Sequence, residues 1–255
     1  MTPPRTALQL YTLRHLPGGP EAHLACAAEA GFDGVELLHG LGLEAEALRD
    51  RLAEHGLRAV SSHVALASLE ADPDGITSFY GTVGSPVLIV PSLPEEFHGD
   101  SPESWQALGR RLAALGQVCR ARGLRLAYHN HDSEMDLFGE VTALDLLLEA
   151  APPGLLELEL DLAWVVRGGR DPLELLARHQ GRCPRVHVKD LAPAGENLEE
   201  DGWADVGYGT LDWDTLLPAA IKAGAEWFIV EHDTPTDPAR TAARSYAYLA
   251  SLGYS

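Results

Sequence analysis

The sequence predicts an α/β protein built as a (β/α)8 barrel, and three observations predict it. Eight short apolar runs recur along 255 residues, close to the roughly 250 typical of one such barrel. Helical patterns separate the runs, and strand alternating with helix implies βαβ units and a parallel sheet. Four runs end on residues that can hold a divalent metal: His129 in AYHNHD, Asp161 in LELDLAW, His187 in VHVKD and Glu231 in FIVEHD. They lie far apart in sequence, and a barrel gathers strand ends at one mouth, where its chemistry sits.

The strand-type runs are ALQLY near residue 8, FDGVEL near 35, LRAVSSHV near 60 and PVLIV near 88. LRLAYH near 126, LLELELD near 158, RVHVKD near 187 and WFIVEH near 229 follow. Helices are expected at 21–30, 43–55, 101–122, 171–179, 212–223 and 237–252. Gly31, Gly56, Gly123 and Gly224 stand as C-terminal stops. Asp171-Pro172 and Asp237-Pro238 are N-cap and first-turn pairs. AGFDGVEL, RGLRLAYH and AGAEWFIV repeat one junction: a glycine at a helix end, a short loop, then a strand. The longer loops, 92–100 and 191–210, are the expected functional ones. A doubly wound open sheet is the competing fold, but no GxGxxG follows the first strand, so no nucleotide cofactor is expected. No linker divides the chain, which reads as one domain over residues 1–255.

The formal charge of −19 argues against a nucleic-acid backbone or an anionic membrane as partner, since both reward clustered Lys and Arg. Lys189 and Lys222 are the only lysines, which singles out Lys189 at a strand end. Cys26, Cys119 and Cys183 show no CxxC spacing and read as reduced thiols of a cytoplasmic protein. The N-terminus lacks the apolar core of a signal peptide, and no run approaches a membrane span.

Strand side chains alternate between faces. If apolar residues face the helices, His129 and His131 face inward from the fifth run, and Glu157, Glu159 and Asp161 from the sixth. His187 and Lys189 do so from the seventh, Glu231 from the eighth and Glu36 from the second. Alternation alone does not choose between His129 and His131 as a ligand. So much negative charge near one axis is costly unless a cation offsets it. Two imidazoles and two carboxylates suit Mn²⁺, Fe²⁺, Co²⁺ or Zn²⁺. His63 is a candidate substrate contact, with His39 and His15 weaker ones; His55 and His179 fall in helical segments and are expected in solvent.

GFDGVEL, AYHNHDSEM, LELDLAWVVRGGRDP, RVHVKDL, VGYGTLDW and FIVEHD together resemble the sugar phosphate isomerase/epimerase superfamily, the xylose isomerase-like barrels. The YHNHD, HVKD and GxGxxDW set resembles its inosose-dehydratase-like branch. The resemblance implies a divalent metal, often Mn²⁺, held by Asp161, His187 and Glu231, with His129 where the sugar epimerases carry a glutamate. That departure counts against a two-glutamate epimerisation. Trp164 stands where many relatives carry a histidine. It is either a stacking face for a sugar or ordinary packing. Glu36, His63, Glu159 and Trp164 are the expected substrate contacts. Relatives often pair, so a homodimer is compatible with the resemblance.

The chemistry implied is proton removal next to the carbonyl of a keto or aldo sugar, or of a keto-cyclitol. Glu231 and His131 are the candidate bases, and Lys189 a candidate for polarising an oxygen. Reprotonation gives isomerisation or epimerisation, and loss of a neighbouring hydroxyl gives dehydration. A phosphate on the substrate is poorly supported: Gly207-Tyr208-Gly209 is a weak loop signal, although Arg14, Arg167 and Arg170 lie in expected loops at that end. Two rivals remain, an AP-endonuclease-like hydrolase, disfavoured by the acidity, and a non-catalytic sugar-binding barrel.

Overall fold

A computed structural model describes residues 4–93, 97 and 99–255. The loop expected at 92–100 lies in part outside the described residues. Eight parallel strands close into a barrel: β1 (Arg5–Gln9), β2 (Gly34–Leu38), β3 (Arg58–His63), β4 (Val87–Val90), β5 (Arg125–His129), β6 (Glu157–Asp161), β7 (Arg185–Val188) and β8 (Trp227–Val230). Each strand pairs with its sequence neighbours, and β1 closes the ring against β8. All eight expected strands are present.

Among the described residues ten α-helices accompany them: α1 (Gly19–Ala30), α2 (Ala45–Glu54), α3 (Leu66–Ala71), α4 (Pro73–Val83), α5 (Pro102–Ala121), α6 (Ala143–Glu149), α7 (Leu162–Arg167), α8 (Pro172–Arg178), α9 (Trp213–Ala223) and α10 (Pro238–Ser251). The caps are chemical. Ser101 forms a capping box with Ser104 at α5, and Asp171, Asp212 and Asp237 accept first-turn amides of their helices. Gly31 and Gly224 stop α1 and α9 at φ values of 107° and 109°, which an L side chain resists.

The apolar-outward rule holds in space. Leu8, Val35, Leu37, Leu126, Tyr128, Leu158, Leu160, Val186, Val188, Phe228 and Val230 share one buried cluster with the helices. Inside the ring sit two small apolar clusters, Ala7, Val60, Trp227 and Ile229, and Val87, Ile89 and Ala127. Two residues further along those strands the interior turns polar, with Gln9, His129 and Glu231 following Ala7, Ala127 and Ile229. One irregularity matters to the site. The β2–β3 register shifts between Val35 and Glu36, a bulge that skips Val60 and pairs Glu36 with Ser61. Unbroken alternation from Val60 would send His63 outward; the bulge brings Ser61 and His63 to the inner wall instead. Among the described residues no helix is long and apolar enough to cross a membrane.

Candidate metal centre

At the C-terminal ends of the strands, His129, Asp161, His187 and Glu231 bring one ligand atom each to within 4.8 Å of one another. They come from β5, from β6, from β7 and from the residue after β8. Local structure fixes each one. Asp161 closes β6 and N-caps α7, its Oδ1 accepting the Trp164 amide at 2.9 Å. Asn130 clamps the Asp161 backbone from both sides, accepting its N–H at 2.9 Å and donating to its carbonyl at 3.3 Å. The second Asp161 oxygen, Oδ2, is buried and has no hydrogen-bond partner. The Lys189 ammonium lies 3.3 Å from it without hydrogen-bond geometry.

A second convergent set lies deeper: His63, His129, Glu159 and His187. Glu159 Oε2 is 3.1 Å from His63 Nε2, 3.2 Å from His129 Nδ1 and 3.1 Å from His187 Nε2. Glu36 Oε1 accepts from Gln9 Nε2 at 2.7 Å and lies 2.8 Å from His187 Nε2 and 2.9 Å from His63 Nε2, while its Oε2 accepts from Ser61 Oγ. The two sets share His129 and His187. The upper set is the better cation site, because it holds the orphaned Asp161 oxygen and opens on a cleft. The lower carboxylates are fully buried and outside the cleft lining, with imidazoles facing Glu36 Oε1 and Glu159 Oε2 and only Glu159 Oε1 unpartnered.

Electrostatics point the same way. Burial opposes charge on His187, yet Glu159, Glu231 and Glu36 raise its pKa well above the ordinary histidine range. Burial also opposes charge on His63, and chiefly Glu36 lifts it to about 10. Burial and Glu36 push Glu159 up, but His187 and His129 bring it down to about 2. Glu231 is held well below the carboxylate range by Lys189 and His187 against the pull of burial. Asp161 is the exception: burial raises it, and Lys189 and His187 do not fully compensate. His129 is pushed well below its usual range by burial and by its neighbour His187, so it is a neutral imidazole able to ligate. A buried carboxylate short of positive charge beside a neutral imidazole is the donor chemistry a divalent ion satisfies.

The cleft above this set has a volume of about 430 Å³ and is lined by Tyr11, Leu38, His63, His131, Trp164, Glu231 and Asp233, among others. His131 belongs to neither ligand set. Its backbone N–H is held by Glu134 at 2.8 Å, and its ring packs edge-on against His129 at 4.9 Å and tilted against Trp164 at 5.0 Å. Its ring nitrogens have no partner among the described residues. Trp164 is half-buried, also touches Trp203 at 4.8 Å, and leaves its indole N–H unpartnered.

Three expectations change place. Lys189 is fully buried and lies outside the cleft lining, its ammonium 3.3 Å from Asp161, 2.8 Å from Glu231 and 2.8 Å from Asp233, to which it donates. Three carboxylates, not an open cleft, surround it. Glu36 and Glu159, expected to contact substrate, lie beneath the rim and outside the cleft lining. His179 is not in solvent: it is buried, 3.1 Å from Asp145. The Gly207–Gly209 turn is no open anion cradle either. Asp190 already accepts the Gly207 and Leu211 amides and the Trp213 indole N–H, and a side chain at Gly209 would collide with Asp190. Arg14 stacks on Tyr11, Arg167 pairs with Asp201, and Arg170 donates to the Met135 carbonyl. Sequence reasoning missed Asp233 and Asn130, although both sit inside motifs it singled out.

Similarity to known proteins agrees with the barrel fold. An inosose dehydratase from Geobacillus kaustophilus is 25% identical over 88% of this chain and 82% of its own length. A sugar phosphate isomerase/epimerase from Parabacteroides distasonis superposes with a TM-score of 0.81 at 20% identity, covering 98% of this chain and 94% of the other. A structure of the IOLI protein with a bound zinc atom superposes at 0.77 with 15% identity, covering 98% and 99%. Residues 24–252 match the family described as Xylose isomerase-like TIM barrel, and the chain belongs to that family.

Proposed function

We propose that the chain is a divalent-metal-dependent isomerase or epimerase that removes the proton next to the carbonyl of an uncharged keto or aldo sugar or keto-cyclitol. The observation that carries this reading is the pairing of a two-imidazole, two-carboxylate set with a cleft that has no lysine or arginine in its lining. Apart from the ion, a phosphate or carboxylate on the substrate would find no cationic side chain among the described lining residues. Mn²⁺ is the proposed ion, with Zn²⁺, Co²⁺ and Fe²⁺ as competitors; zinc in the IOLI protein supports the general class. The reading takes the 255 residues as one cytoplasmic catalytic domain.

His129, Asp161, His187 and Glu231 would hold the ion. When bound, it supplies a Lewis acid that stabilises negative charge developing on the carbonyl oxygen. The protein does the rest. His131 offers a ring nitrogen without a protein partner to the substrate proton, and Glu231 is the second base within reach of the cleft. Lys189 keeps Asp161 and Glu231 aligned as the proton moves. Trp164 presents an apolar face to the sugar C–H bonds. Return of the proton to the opposite face or to the adjacent carbon completes the isomerase reading.

A second reading, dehydration, shares the first step and expels a neighbouring hydroxyl. It is favoured by the inosose dehydratases among the relatives, at about 25% identity. Solvent-deuterium incorporation into inososes and keto-sugars, followed by NMR with Mn²⁺ and with chelator, tests both. Metal-dependent exchange with recovery of a sugar supports isomerisation, and loss of water supports the lyase. No exchange from any of them, with Mn²⁺ bound, would leave a binding protein.

A further inference from the structure

Two carboxylates buried beneath the rim need a reason, since taking each charge from water costs about as much as a well-made pair returns. Their partners supply one. Glu36 Oε1 lies 2.8 Å from His187 Nε2, while the other ring nitrogen of His187, Nδ1, faces the rim, 3.1 Å from Glu231 Oε2 and 3.8 Å from Asp161 Oδ2. For His129 the nitrogen turned inward is Nδ1, 3.2 Å from Glu159 Oε2. The two histidines therefore meet their carboxylates through opposite ring atoms.

We propose that Glu36 and Glu159 are positioning residues, the two together behind His187 Nε2 and Glu159 alone behind His129 Nδ1, and that they make His187 bind the cation through Nδ1 and His129 through Nε2. The inference rests on the metal-centre reading above. A neutral imidazole carries one N–H. A carboxylate behind one nitrogen claims that N–H, fixes the ring, and leaves the lone pair of the other nitrogen for the metal. Glu36 is itself fixed by Gln9 from β1 and Ser61 from β3, and His63 bridges the two carboxylates at 2.9 and 3.1 Å. The bulge in β3 thus has a consequence at the metal: it delivers Ser61 and His63 to the carboxylates that orient the ligands.

The test uses the whole chain labelled with ¹⁵N-histidine and loaded with Zn²⁺, read by long-range ¹H–¹⁵N spectra. The expected pattern is a bound Nδ1 with a protonated Nε2 for His187, and the reverse for His129. Glu36→Gln and Glu159→Gln are expected to weaken Zn²⁺ binding by about 10- to 100-fold, measured by competition with a chelating dye. Binding through the same nitrogen in both histidines, or wild-type affinity in both variants, overturns the positioning role and leaves the metal centre standing. A wild-type chain that takes up no stoichiometric Zn²⁺ overturns both. The spectra of the unaltered protein decide the matter even if a variant does not fold.

Discussion

His131 and Glu231 both reach the cleft, but the structure gives them different surroundings. Glu231 is tied to Lys189 at 2.8 Å and His187 at 3.1 Å, whereas the His131 ring packs on His129 and Trp164 and has no ion pair among the described residues. Removing His131 should therefore separate chemistry from metal binding. We expect His131→Ala to lower kcat by about 10²- to 10⁴-fold, the usual worth of a general base, with Mn²⁺ content unchanged by elemental analysis. A variant turning over near the wild-type rate would remove His131 from the mechanism; one that loses its metal would place it among the ligands. Alternation gave both His129 and His131 an inward direction and could not rank them, because it fixes a face and not a depth. The same gap hid the burial of Glu36 and Glu159. Depth depends on how far each strand runs past its neighbours, which is set by register across the barrel.

Six helices were legible because glycine stops and Asp-Pro starts punctuate them. The four that were not have physical reasons. Asp161 is both the last residue of β6 and the cap of α7, so the apolar run shows no break. Asp72-Pro73 opens α4 with the same signal as Asp171-Pro172, but α3 ends one residue earlier and blurs it. Helix α6 is only seven residues long and depends on its Thr142–Asp145 capping box. Asp145 Oδ2 accepts from the Thr142 amide and hydroxyl at 2.8 Å each and from Arg178 at 2.5 Å. Burial opposes its charge, but His179 and the Thr142 donors hold its carboxyl far below the usual carboxylate range. A depressed folded-state pKa contributes stability that is full above the unfolded value of about 4 and is lost as pH falls toward the folded value. Asp145→Asn should thus cost about 1–2 kcal/mol at pH 7, and urea melts should show the difference from wild type shrinking below about pH 4. A gap independent of pH would show that charge is not what stabilises this cap. Helix α5 makes a second demand. A β-carbon at Gly116 would collide with the Leu155 carbonyl oxygen, and one at Gly109 with that of Leu147. Alanine gains roughly 1 kcal/mol of helix propensity, while overpacking against backbone costs up to about 3 kcal/mol. The collision wins, so Gly116→Ala should lower Tm by several degrees; an unchanged or higher Tm would mean α5 can shift outward.

At the scale of the molecule, the ring is closed by backbone pairing all round, but the second half of the mouth is held differently from the first. His129, Asp161, His187 and Glu231 come from four adjacent strands, β5 to β8. Without a cation, that arc concentrates carboxylates whose charge is balanced by Lys189 and the His187 imidazolium, and Asp161 is left short. The overall charge of −19 adds to the repulsion and also raises the local concentration of any divalent ion. A cation that binds the folded ring and not the open chain stabilises by mass action. At a free concentration 100 times its Kd the gain is about 2.7 kcal/mol, which for a chain of this size is a rise in Tm of roughly 5–10 °C. We expect Mn²⁺ to give such a rise over chelated protein in differential scanning calorimetry, and Asp161→Ala to abolish it. Mg²⁺, which prefers oxygen ligands alone, should give a smaller one. Equal melting temperatures for loaded and chelated protein would mean the four side chains balance one another's charge unaided, and the rim would lose its claim to a metal.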